Sequence, residues 1–369
     1  MIFLPDHCVT ELRMAQLMQQ QEASGFRFDF AKAEELKHEF AIETQKLVEK
    51  ILGRYPMVPD KVFTPRRADK KKGYVAGATH TRLKEFNPTS RPQIAWVLQH
   101  IHGMTFTKLT EKGKPQVNRD SLEELSVLAL QQGKPEVAAS IEDFLHLLDL
   151  QKWMGQLSEG DNSWLNMVNE NTGCIHHSCM LGTQTGRNAH KSPNLGQTNK
   201  QDWARKLFLP HEGQVMVGVD LEGLELRMLG GYLAAFDDGA FADVVVNGDI
   251  HQQNADRVGC SRSQVKTLTY GFIYGGGDIK LGSILHPEYS DHEKKSLGAE
   301  LRRKFLDAIP GLEPLVTAIK QKVRTRGWLK GLDKRPIYCR SEHSGLNFCL
   351  QSAGAIISKQ WCIQTEDLL

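Results

Sequence analysis

The stretch RSQVKTLTYGFIYGGG, from Arg262 to Gly277, constrains the fold more than any other. Arg262, Lys266 and Tyr270 recur at every fourth position. On an α-helix such positions share one face. The spacing therefore predicts a helix that shows two cations and then an aromatic ring along one side, with glycines after it. A helix that only filled a core would not carry that face. It suits a triphosphate followed by a sugar and base, because two cations one turn apart can grip successive phosphates. The plainer alternative is a solvated charged face with a tyrosine in the core.

The chain has 369 residues, enough for two or three domains or one multi-lobed unit. Its 40% hydrophobic and 24% charged composition is that of a globular protein. A net charge of +2 does not by itself indicate a nucleic-acid partner. Charge is concentrated locally instead. From Arg54 to Lys84 nine Lys or Arg stand against two acids, with RRADKKK at the centre. Such a loop either holds a phosphate backbone or is a solvated, partly disordered segment. The 7 cysteines are scattered without a CxxC pair, which fits a reduced cytoplasm better than a disulfide framework. CIHHSC (Cys174 to Cys179) is too cramped for a four-ligand zinc site and is expected to be ordinary strand or loop. MIFL runs into Pro5 and Asp6 and is not expected to be a signal peptide. No apolar run reaches the ~20 residues of a membrane span.

The N-terminal part has helical periodicity. VTELRMAQLMQQQEASG ends at Gly25, a natural helix stop, and a second helix is predicted from Asp29 to Gly53. After the basic loop, SRPQIAWVLQHI, SLEELSVLALQQG and KPEVAASIEDFLHLLDLQKWMGQL predict three more helices. An all-helical lobe is thus expected over roughly the first 160 residues. Turn signals and short apolar stretches follow, as in a sheet with loops. In QVMVGVDLEGLELR an apolar run ends at Asp220 and a helix pattern starts near Leu224, which predicts Asp220 at the carboxyl end of a strand. WLKGLDKRPIYCRS suggests a basic hairpin, and the last residues a long helix. The fold class expected is α+β, mostly helical.

Taken alone, a strand-end aspartate is either a metal ligand for phosphoryl transfer or a plain helix cap. TGR (Thr185 to Arg187) alone is a turn with a cation. Taken together, these stretches resemble family A DNA polymerases, with a likeness to replicative enzymes of short-tailed phages. DLEGLELR resembles motif A, written DxSxxELR, and RSQVKTLTYGFIYG resembles motif B, the RxxxKxxxxYG helix. TGR with PNLGQ resembles the palm segment that meets the primer-template. NGDIHQQNA resembles the start of the fingers, and LNFCLQSAGA the segment that reaches the minor groove.

The resemblance implies a right-hand fold: a thumb over 1–164 with the basic loop 54–84, palm segments over 165–233 and 347–369, and fingers over 234–346. It implies DNA synthesis from deoxynucleoside triphosphates on primer-template DNA with two magnesium ions, in a phage-infected or bacterial cytoplasm. Asp220 and the Leu221 carbonyl would bind the metal. Arg262, Lys266 and His251 would hold the triphosphate. Tyr270, supported by Glu225, would pack on the deoxyribose, exclude a 2′-hydroxyl and reject dideoxynucleotides only weakly. Tyr274 would guard the templating base. Arg187, Asn347 and Gln351 would contact the duplex in the minor groove, where shared acceptors report shape rather than sequence.

Three departures follow from the same resemblance. Glu222 stands where serine is usual and is expected to face solvent. No HDE of motif C occurs, so the second carboxylate of the metal pair is missing, and Glu366 and Asp367 are expected on the solvent face of the last helix. The exonuclease domain and the full thioredoxin-binding insertion are also missing. The chain is expected to be incomplete alone. One half of a split polymerase, with motif C on a second polypeptide, and a non-catalytic primer-template binding fragment both remain open, as does a single-subunit RNA polymerase, against which Glu225 argues.

Overall fold

The computed structural model describes residues 5–110, 112–286 and 289–369; MIFL lies outside them. In chain order the elements are α1 (Asp6–Ser24), β1 (Phe26–Phe28), α2 (Phe30–Arg54), β2 (Met57–Phe63), β3 (His80–Glu85) and α3 (Arg91–Trp96). A π-helical turn (Val97–Ile101) continues α3, followed by α4 (Arg119–Gln131), α5 (Pro135–Leu157) and α6 (Trp164–Met167). Next come β4 (Val168–Asn169), β5 (Cys174–Ile175), β6 (Ser178–Met180), β7 (Ala189–Lys191), α7 (Asp202–Lys206) and β8 (Phe208–Leu209). The remainder is α8 (Leu224–Asp237), α9 (Ala240–Asn247), α10 (Ile250–Val258), α11 (Arg262–Ile273), α12 (Asp278–Leu285), α13 (Asp291–Ala308) and α14 (Leu312–Arg326). The strands β9 (Trp328–Lys330) and β10 (Pro336–Tyr338) then lead to α15 (Gly345–Leu368). The structure is mostly helical, with short antiparallel pairings.

The chain divides into two compact units. The helical unit is Phe28–Val168 with Gln201–Leu207. Asp29 caps α2, its carboxylate accepting the Lys32 N–H at 3.0 Å. Ala33, Leu36, Phe40, Leu47 and Ile51 form the buried stripe of α2. Trp203 packs edge to face on Phe40 and Trp153, and Phe40 and Trp153 are tilted against each other, with centroids 5.1–5.8 Å apart. Asp143 of α5 binds Lys50 and Arg54 of α2 at 2.7 and 2.8 Å. The basic segment is framed by an antiparallel ribbon, β2 on β3, with RRADKKK in the turns that join its strands.

The second unit holds the chain up to Arg27, Asn169–Lys200 and Phe208–Leu369. Its core joins Leu226, Leu229 and Leu233 of α8, Val265, Leu268 and Phe272 of α11, Phe305 of α13 and Leu350 of α15. Helices α12 and α13 touch backbone to backbone. A Cβ on Gly298 would lie 1.8 Å from the Asp278 carbonyl oxygen, so only glycine fits there. The basic hairpin β9–β10 forms as the sequence indicates.

Two expectations are corrected. Helix α1 belongs to the second unit rather than to an N-terminal helical lobe, because its charges are spent on α15. Glu11 accepts from Lys359 at 2.7 Å, and Arg13 binds Asp367 at 2.6 Å and Glu366 at 3.2 Å. Those two acids lie on the solvent side of α15, as expected, and are ion-paired there. Secondly, no strand leads to Asp220. Gln214–Asp220 carries no regular structure, and Val215, Val217 and Val219 are 83%, 76% and 68% exposed. A strand is held by hydrogen bonds to a neighbour, and no described residue supplies one here.

Candidate active site

Helix α11 begins with a capping box. The Ser261 hydroxyl accepts the Gln264 N–H at 3.2 Å, and the Gln264 side chain accepts the Ser261 N–H at 3.0 Å. Val265, Leu268 and Phe272 are buried, which turns Arg262 and Lys266 outward and leaves Tyr270 half-buried. The helix and charged face inferred from sequence are therefore present. Lys266 has no ion-pair partner among the described residues. Arg262 does: its Nε donates to Asp249 at 2.8 Å. Asp249 also caps α10, accepting the N–H groups of His251 and Gln252 at 3.1 and 3.0 Å. The Arg262 hydrogen bond and these N–H donors hold its carboxyl below the usual carboxylate range.

His251 is thereby brought to the same face. Its ring centroid lies 6.4 Å from that of Tyr270, and Tyr270 stacks on Tyr274 at 6.3 Å. Burial, then Arg262 and Lys266, lower the His251 pKa, so the ring is neutral at pH 7. Its Nδ1 is buried without a hydrogen-bond partner. Burial, with the Glu225 carboxylate nearby, raises both tyrosine pKa values. The Tyr274 hydroxyl donates to Glu225 Oε1 at 3.5 Å, so Glu225 reaches Tyr274 by hydrogen bond and Tyr270 by field alone.

Arg187, Leu224, Glu225, Gln351 and Lys359 line one groove of about 210 Å³. Arg187 is exposed on a turn in which Gly186 takes φ +78°, and the Thr183 hydroxyl donates to the Arg187 carbonyl at 2.6 Å. The Arg335 guanidinium fills the space a Cβ at Gly186 would need, and Arg335 is itself held by Asp333 and Glu11, both at 2.6 Å. Asn347 lies one turn before Gln351 on α15, and its Oδ1 is buried without a partner. The structure thus gathers Arg187 and Gln351 around Glu225, with Asn347 in line on the same helix.

Asp220 and Leu221 stand apart from this groove. Asp220 is exposed and makes no hydrogen bond or ion pair to a described residue. The turn after it is fixed by Gly223 at φ +59° and by Arg227 Nε donating to the Glu222 carbonyl at 2.7 Å. The Glu222 side chain is exposed, as expected. Among the described residues no group of three His, Cys, Asp or Glu side chains is placed to hold a metal. In CIHHSC, His176 is tied to the Glu22 carbonyl at 2.8 Å and His177 stacks on His190 at 4.9 Å. Sequence reasoning missed Asp249, whose signal was a helix-capping aspartate, and Glu11, Arg335 and Lys359, which carried none.

The sequence profile of DNA polymerase family A matches residues 64–369. The chain belongs to DNA polymerase family A. The DNA-directed DNA polymerases of Escherichia phage T7 and Enterobacteria phage T3 are each 34% identical over 430 residues, covering 97% of this chain and 59% of the relative. This family A chain therefore spans about three-fifths of the length of those relatives. The POL domain of Pol1 from M. smegmatis, solved with DNA primer-template and dNTP, has the same fold, with TM-score 0.71 and 21% identity over 97% of this chain and 59% of that one. The mostly helical right-hand fold is thereby established. Among the described residues no helix is long and apolar enough to cross a membrane.

Proposed function

We propose that this chain forms the nucleotide- and DNA-binding body of a template-directed DNA polymerase. It binds primer-template DNA and a deoxynucleoside triphosphate for attack of the primer 3′-hydroxyl on the α-phosphate, with release of pyrophosphate. The observation that carries this reading is the α11 face, where Arg262, Lys266 and Tyr270 align with His251 beside them. Two cations one turn apart offset the charge of successive phosphates. Displacing Asp249 from Arg262 frees a guanidinium for them. The neutral His251 stands beside Tyr270 on the same face. Tyr270, in the field of Glu225, forms the sugar-side wall, and Tyr274 occupies the place of the templating base. Arg187, Gln351 and Asn347 take the duplex edge.

In this reading the thumb is 1–164, with α1 set apart by its ties to α15. The palm is 165–233 and 347–369, and the fingers are 234–346. The site serves phage-type replication in a bacterial cytoplasm. Asp220 and the Leu221 carbonyl are the metal ligands, but these residues do not suffice for a magnesium pair. Two-metal catalysis rests on more than one carboxylate, and among the described residues no group of three His, Cys, Asp or Glu side chains is gathered at Asp220. The exposed Val215, Val217 and Val219 favour a strand-forming segment that covers Gln214–Asp220 and brings that carboxylate, from a second polypeptide or from further chain. Binding of a fluorescent deoxynucleoside triphosphate to the purified chain tests the reading. Arg262→Ala and Lys266→Ala are expected to weaken it strongly, and unchanged affinity would remove the phosphate assignment.

A further inference from the structure

A second groove, of about 770 Å³, lies in the helical unit, on α3, the π-helical turn after it and the turn before α4. None of the described residues that line it is acidic. Arg91, Lys112 and Lys114 line it, all exposed. None of the three has an ion-pair partner among the described residues. Cations close by in sequence behave differently: Lys108 is paired with Glu124, and Arg119 with Glu123 and Asp149. Among the described residues these three cations are thus left unpaired, whereas Lys108 and Arg119 are not.

The groove also offers an aromatic surface. Trp96 and His100 stack nearly parallel, at 12° with centroids 5.2 Å apart, and His100 is exposed at the outer end of the pair. The His100 Nδ1 lies 3.1 Å from the Trp96 carbonyl, which fixes the ring over the indole. Backbone hydrogen bonds also tie the described residues around the lysines. Thr110 N–H donates to the Lys114 carbonyl at 2.7 Å, and Gln116 N–H to the Lys108 carbonyl at 2.9 Å. A π-helical turn at this point widens the backbone, a feature that concentrates at binding sites.

We propose that this groove binds single-stranded nucleic acid, with one unpaired base stacked on the Trp96–His100 pair and the adjoining phosphates on Arg91, Lys112 and Lys114. Flat aromatic faces beside unpaired cations are the combination that holds single strands without regard to sequence. A duplex hides its base faces within the stack and can use only the cations. An acidic peptide can likewise use the cations but gains nothing from the rings. The site uses no residue of the α11 face.

The test is anisotropy of a fluorescein-labelled dT oligomer bound to the full chain across a NaCl series. Trp96→Leu is expected to weaken binding about fivefold or more, the loss of one stacked base. Trp96→Phe retains most of the affinity. The triple change Arg91→Gln, Lys112→Gln, Lys114→Gln, on exposed residues, lowers the slope of log affinity against log salt by about 2. Binding of a fluorescent deoxynucleoside triphosphate stays unchanged in these variants and reports that each is folded. A slope and affinity unmoved by these changes, but lowered by Arg187→Ala, would overturn the proposal and leave the polymerase site intact. Displacement by poly-glutamate as effective as by the oligomer, or a duplex bound as tightly through Trp96, would overturn it as well.

Discussion

The α11 face and the Gln214–Asp220 segment carry comparable sequence signals, yet they fold very differently. The first is complete within its own stretch of chain. Ser261 and Gln264 cap it, Asp249 thirteen residues before Arg262 anchors the guanidinium, and Val265, Leu268 and Phe272 seat the helix in the core. The second is an apolar run with three valines in solvent and a carboxylate that has no hydrogen bond or ion pair among the described residues. A helix satisfies its own backbone groups, whereas a strand needs a neighbour. In the proposed reading, a site distributed over both kinds of element is preformed at the phosphates and unformed at the metal.

The largest expected effect lies on the preformed side. Arg262→Ala or Lys266→Ala should lower triphosphate affinity roughly ten- to a hundredfold, the scale of a lost charge-assisted hydrogen bond. Titration of a fluorescent nucleotide measures it, and wild-type affinity in both variants would erase the contrast. Next, Ser261→Ala should cost about 1 kcal/mol of stability by removing the helix cap. Denaturant unfolding reads this directly, and no change would mean that α11 does not rely on its own cap.

The pH dependence of His251 sharpens the same side. Its pKa lies below the ordinary histidine value, so at pH 7.5 it adds no charge to the face. As pH falls through the lowered value, the ring protonates and becomes a third cation for the triphosphate. The affinity advantage of wild type over His251→Gln should therefore grow, by about three- to fivefold between pH 7.5 and 5.5. A constant ratio would remove His251 from the site. The smallest effect belongs to the open segment. Val217→Lys should change the stability of this chain by no more than about 0.5 kcal/mol, because an exposed side chain has no packing to lose. A melting temperature lowered by several degrees would show that the segment is packed in solution.

Legibility in the sequence follows the same division. The helix from Asp29, the hairpin β9–β10 and the cationic face of α11 were readable because each is specified within a few residues. The ribbon β2–β3 was not. Its strands show no clean alternation, and their register shifts between Pro59 and Lys61. Nor was the placement of α1, since Glu11 meets Lys359 across 348 positions and no local pattern announces such a pair. The strand at Asp220 was expected from an apolar run, which states a preference for pairing without supplying the pair.

The most direct test of the central claim is magnesium-dependent primer extension by the purified 369-residue chain, with nucleotide and primer-template binding followed in the same samples. The account requires binding without extension, and extension on adding a segment that pairs with Gln214–Asp220 and carries an aspartate. Extension by the chain alone would contradict it. A carboxylate already present would then complete the metal site, with Glu222, Glu366 and Asp367 the first to replace.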